Sequence, residues 1–71
     1  MKTYWRYCEK KLRALDQATN LKELARIPSN RLHKLLGNRK GQHSLTIKNQ
    51  YRICFYWRNG NAYEVEIVDY H

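Results

Sequence analysis

Long apolar runs are missing from this chain of 71 residues. The longest, Ile53-Cys54-Phe55-Tyr56-Trp57, falls far short of the roughly 20 residues a helix needs to span a bilayer, so a membrane partner is not expected. Cysteine is scarce: Cys8 and Cys54 stand far apart with no C-x-x-C or metal-ligand spacing, which leaves a disulfide framework or a zinc knuckle without support. Both read as small buried hydrophobes. The first residues carry charge but no apolar h-region and no small-residue cleavage site, which speaks against a secretory signal and makes the cytoplasm the expected compartment. Acidic residues are few, six against fourteen Lys and Arg for a net +8. That imbalance favours a polyanionic partner, nucleic acid first, over a neutral metabolite.

What the chain does have is enough apolar material for a core. The 42% hydrophobic fraction, with two Trp, six Tyr and one Phe, separates it from disordered basic tails. Its length permits one small domain, and a domain of this size buries only about 60% of the surface its unfolded chain exposes. No repeat, low-complexity run or linker divides it.

Two periodicities organise the sequence. Trp5, Cys8, Leu12, Leu15 and Ala18 recur at spacings of three and four, the stripe of one buried helix face, while Arg6, Glu9, Lys10, Lys11 and Arg13 form its solvated side. Asn20 three positions before Glu23 is an N-cap pattern for a second short helix that carries Leu21 and Leu24 inward and stops at Pro28. Ser29-Asn30 reads as loop. Beyond Arg31 the breakers Gly37-Asn38-Arg39-Lys40-Gly41, Asn49-Gln50 and Asn59-Gly60-Asn61 separate four strands. In residues 42–48, Leu45 and Ile47 share a face; in 51–58, Tyr51, Ile53, Phe55 and Trp57 oppose Arg52, Cys54, Tyr56 and Arg58; in the last strand Tyr63, Val65 and Ile67 oppose Glu64, Glu66 and Val68. Asn59-Gly60 is a strong hairpin signal, so the last two strands should pair antiparallel. Helices followed by strands imply an α+β fold, N-terminal helices packed on a small antiparallel β-sheet.

Cleaving RNA without a metal requires a base for the 2′-hydroxyl, cations for the crowded phosphate and an acid for the leaving oxygen. His, Asp, Tyr, Arg and Lys can fill those roles, yet any basic chain with three histidines would qualify, and on composition alone a basic binding module is the better reading. His33 is open between an active-site role and a surface hydrogen bond. His43 shares parity with Leu45 and Ile47 and reads as partly buried and structural. Arg39 and Lys40 occupy a Gly-flanked turn, where they are either plain exposed charge or phosphate contacts. Tyr56 and Trp57 read as packing residues rather than stacking platforms, because a small domain needs its aromatics inside.

Several segments together carry a resemblance. Arg31-Leu32-His33, Gly37-Asn38-Arg39-Lys40-Gly41-Gln42-His43-Ser44, Tyr51-Arg52-Ile53-Cys54-Phe55 and Val65-Glu66-Ile67-Val68-Asp69-Tyr70-His71 resemble, in order and spacing, the HigB group of the RelE/ParE toxin superfamily. The helix ending Leu12-Arg13-Ala14-Leu15-Asp16-Gln17-Ala18-Thr19 is similar to that group's second helix, so the likeness covers nearly the whole chain. It implies a ribosome-dependent mRNA endonuclease, the toxin half of a bacterial toxin–antitoxin pair, which cleaves mRNA in the A site by attack of the 2′-hydroxyl with no metal or other cofactor. Its partners would be mRNA on the ribosome and a small helix-turn-helix antitoxin of the HigA type.

By position, His33 matches the catalytic histidine, Arg52 the arginine that contacts the scissile phosphate, and Asp69, Tyr70 and His71 the C-terminal functional trio. Lys34, Arg39, Lys40 and Arg58 are the expected RNA contacts. Two departures stand out. Family members usually carry a β-strand and a helix ahead of the segment equivalent to Tyr4, so the domain at 1–71 reads as N-terminally truncated, its sheet edge open to a homodimer or another chain. Leu36 stands where some relatives have a lysine. A truncated relative that binds antitoxin or RNA without cleaving is the alternative reading.

Overall fold

A computed structural model describes residues 4–47 and 51–69. Helix α1 spans Tyr4–Gln17 and helix α2 Leu21–Ala25; strands follow as β1 His33–Lys34, β2 His43–Thr46, β3 Tyr51–Arg58 and β4 Asn61–Asp69. One-turn 3-10 helices at Pro28–Asn30 and Gly37–Arg39 occupy the connections before and after β1. The four strands form one sheet in the order β1-β2-β3-β4, every neighbouring pair antiparallel. The expected α+β layering holds.

The apolar stripe of α1 does what its spacing implies: Cys8 and Leu15 are buried, and Leu12 and Ala18 pack beside them. Asn20 starts α2 as expected, its side-chain oxygen accepting from the Glu23 amide at 3.1 Å. Glu23 reaches back one residue further than a standard capping box, accepting from the amide and hydroxyl of Thr19 at 2.8 and 3.0 Å. Those two bonds hold its carboxyl below the usual range. Leu24 then seals the core from α2. Pro28 supplies the first residue of a 3-10 turn, where a missing N–H costs nothing.

Ser29-Asn30 departs from the loop expectation, since Asn30 is buried. Its amide nitrogen donates to the Leu24 carbonyl at 2.9 Å and its oxygen accepts from the Lys11 ammonium, tying α2 to α1. Both halves of a buried amide are thereby satisfied. Partial burial, then the charge of Lys10, push the Lys11 ammonium below its ordinary value.

Leu45, Ile53 and Phe55 face the helices and join Cys8, Leu15, Leu24 and Ile47 in the core, each large apolar side chain contributing about 1.5–3 kcal/mol on full burial. Trp57 meets the Phe55 ring edge-on at 6.4 Å, and the centre of the His43 ring lies 5.7 Å from that of Phe55. The β3–β4 turn has Asn59 at φ 52° and Gly60 at φ 78°, two left-handed residues as a type I′ hairpin requires.

One strand expectation fails in part. Tyr63 does not share a face with Val65 and Ile67: the register steps from Cys54 opposite Glu66 to Tyr56 opposite Tyr63, a bulge that holds one extra residue in β4. Glu64 sits there at φ 50°, a left-handed conformation that costs a non-glycine residue roughly 1–2 kcal/mol. The bulge reverses parity, so Ala62 pairs with Trp57 on the helix side and Tyr63 turns to the opposite face. The Asn49-Gln50 turn lies outside the described residues.

Candidate active site

The face of the sheet turned away from α1 and α2 is built by strand alternation. His33, Ser44, Cys54 and Glu66 are successive partners across all four strands, and residues paired across a sheet share a face. Arg52 sits beside that row, opposite Thr46 and Val68. Ser44 and Cys54 are short and buried; the longer His33, Arg52 and Glu66 stand over them.

Local backbone aims His33. Arg31 ends the first 3-10 turn in a left-handed conformation, φ 46°, and its carbonyl lies 3.0 Å from His33 Nδ1. Nδ1 donates to that carbonyl, which leaves the Nε2 lone pair to accept from Arg52 Nη1 at 3.2 Å. This tautomer is the arrangement that satisfies both contacts. The same guanidinium nitrogen is 3.4 Å from Ser44 Oγ. A proton-accepting nitrogen thus adjoins a fixed cation, the pairing a phosphodiester needs between a base and a charge stabiliser.

Arg39 is not loose turn charge. It crosses onto the open face, donating to Glu66 Oε1 at 3.0 Å and to Gln42 Oε1 at 3.1 Å, and the Glu66 bond raises its already high pKa. Burial pushes the Cys54 thiol up, against the lowering influence of Arg39 and Arg52. A raised thiol is a poor nucleophile.

The expected site residues divide. His33 and Arg52 meet, Arg39 stands on the same face, and Arg58 lies at the far end of it with Tyr63. Lys34 pairs with His43, so alternation points it to the covered side, away from His33. Asp69 ends β4 in register with Tyr51, again the parity of the covered side. Lys40 is exposed just past the second 3-10 turn. Tyr70 and His71 lie outside the described residues. Sequence reasoning missed Ser44, Gln42 and Glu66 as members of this network; the parity of Arg52 and Cys54 was the signal that could have found Ser44 and Glu66. Among the described residues no group of three or more His, Cys, Asp or Glu is placed to hold a metal, and no helix is long and apolar enough to cross a membrane.

Comparison with known proteins gives the family. The family described as RelE-like toxin of type II toxin-antitoxin system HigB matches residues 3–71. The chain is similar to Endoribonuclease HigB of Proteus vulgaris, 43% identical over 61 residues, a segment covering 86% of this chain and 65% of that protein. It is also similar to Toxin HigB-1 of Vibrio cholerae, 42% identical over 53 residues, covering 75% of this chain and 56% of that protein. The chain therefore spans less than two thirds of the length of these two relatives. A match running through both helices and the sheet establishes that the chain belongs to the HigB-like toxins of type II toxin–antitoxin systems.

Proposed function

We propose that this chain acts as an endoribonuclease toxin on mRNA held in the ribosomal A site and is neutralised by a helix-turn-helix antitoxin of the HigA type. The observation that carries this reading is the 3.2 Å contact between His33 Nε2 and Arg52 on the open strand face, in a chain whose relative from Proteus vulgaris is named an endoribonuclease. His33 Nε2 accepts the 2′-hydroxyl proton as that oxygen attacks the adjacent phosphorus. Arg52 stabilises the negative charge that builds on the non-bridging oxygens. The bond to the 5′-oxygen breaks, and an acid at the C-terminus, Tyr70 or His71, protonates it. The products are a 2′,3′-cyclic phosphate and a 5′-hydroxyl, with no metal in the reaction. The net charge of +8 draws the domain to RNA, and Lys40 and Arg58 supply phosphate contacts.

Primer extension on mRNA tests the reading, with and without ribosomes and with a chelator. Cleavage that needs ribosomes, survives the chelator and falls about 100-fold or more in His33→Ala and Arg52→Ala is the expected result. Antitoxin or RNA binding by a chain that cuts under none of these conditions would replace it with the non-cleaving reading.

A further inference from the structure

Beyond the His33–Arg52 pair, the same open face holds a second feature. Tyr56 and Tyr63 are direct cross-strand partners, and with Arg58 and Glu64 they line an open notch of about 210 Å³. The Arg58 guanidinium carbon lies 5.9 Å from the centre of the Tyr63 ring, within the range of a cation–π contact. Tyr63 is 45% exposed, and it reaches this face only because the bulge at Glu64 reverses the parity of β4. Regular pairing would have kept Tyr63 beside Val65 and Ile67. Bulges are over-represented next to active sites, where they re-aim a side chain.

We infer that this notch is a stacking subsite for one unpaired nucleobase of the RNA, flanking the scissile bond; the inference rests on the reading of His33 and Arg52 as the reaction centre. Tyr56 lies four residues along β3 from Arg52, about 13 Å at the rise of a strand, so a base here belongs to a neighbouring nucleotide rather than to the one being cut. The Tyr63 ring offers the flat surface and Arg58 a cation for the adjoining phosphate. Glu64 repels phosphate from the notch and can accept from N–H groups on a base edge. The notch admits one flat ring system and is too small for a helix or a strand of a protein partner.

The test is fluorescence anisotropy of the full chain with a short single-stranded oligoribonucleotide whose 2′-O-methyl sugars cannot be cleaved. Tyr63→Ala is expected to weaken binding roughly 5- to 150-fold and to leave the salt slope unchanged, since stacking releases no counterions. Tyr63→Phe should bind like the parent. Arg58→Ala should lower the slope of log K against log salt by about one. Circular dichroism verifies that each variant is folded; Tyr63→Phe provides the comparison if Tyr63→Ala is not. Unchanged binding in Tyr63→Ala, equal loss in both Tyr63 variants, or no binding by the parent would each overturn the subsite, as would a Tyr63→Ala defect confined to antitoxin capture. Because no step requires cleavage, a parent that binds through Tyr63 but never cuts mRNA would refute the reaction centre and not the stacking surface.

Discussion

Leu45, Ile53 and Phe55 are fully buried on the face that meets α1 and α2, and Ser44 and Cys54, their neighbours on the other face, are buried almost as completely. The causes differ. On the first face a helical layer excludes water; on the second, short side chains form a floor and Arg39, Arg52, His33 and Glu66 stand around it, joined by hydrogen bonds. An apolar lid contributes to stability in proportion to the area it removes from water, whereas exposed ion pairs contribute little. The sheet therefore divides its labour: the covered face holds the fold and the open face is at liberty to meet a ligand.

The largest test of that division is to exchange damage between the faces. Phe55→Ala should cost about 3–5 kcal/mol, a large share of the roughly 4–11 kcal/mol expected for a domain of this length, and push it toward unfolding at ambient temperature. Arg52→Ala on the other face should cost about 1 kcal/mol or less while removing activity. Urea denaturation followed by circular dichroism gives both values, and similar losses in the two variants would erase the distinction.

His43 sharpens the comparison because it is an imidazole on the covered side. Burial, with Lys34 nearby, lowers its pKa from the ordinary 6.5. The folded state thus keeps the ring neutral over a range where the unfolded chain binds the proton. Stability is full above about pH 6.5 and declines as pH falls through that value toward the depressed one. His43→Gln should remove this part of the acid dependence and also lower stability at neutral pH, since the ring packs on Phe55. Melting temperatures between pH 5 and 8 read the effect; a parallel decline in parent and variant would assign it elsewhere.

The smallest expected effect belongs to the open face. Thr46 Oγ1 is buried there without a hydrogen-bond partner, next to Arg52 in the register. Thr46→Val removes the orphan hydroxyl at nearly constant volume and should stabilise by up to about 1 kcal/mol, or a rise of roughly 4–8 °C at most in Tm. A lower Tm would mean that the hydroxyl is satisfied in solution.

Much of this architecture is legible in the residues because it depends on local chemistry. Asn20 caps α2, Asn59-Gly60 turns the final hairpin, and alternation assigns Leu45, Ile53 and Phe55 to one side. Parity also puts Arg52 on the face opposite Ile53. What escaped depends on partners distant in sequence. Asn30 looks like loop until Lys11 and the Leu24 carbonyl take up its amide, and Arg39 looks free until Glu66 arrives from β4. The bulge is hidden for another reason: Glu64 is no glycine, so nothing in its identity announces a left-handed residue. Strict alternation therefore puts Tyr63 beside Val65 and Ile67, the face from which the bulge turns it away.

The order of the strands bears on how quickly that open face comes into being. Each strand pairs with its neighbour in sequence, so the His33–Ser44–Cys54–Glu66 row assembles through successive hairpins, without the long loop closures that slow parallel or Greek-key sheets. A β-hairpin forms in about 1–10 μs, and the Asn59-Gly60 turn predisposes the largest of them, the β3–β4 ribbon. The open-face row is thus gathered by pairings between neighbouring strands, while α1 joins the sheet across a greater sequence separation, Cys8 and Leu15 sharing one core with Phe55.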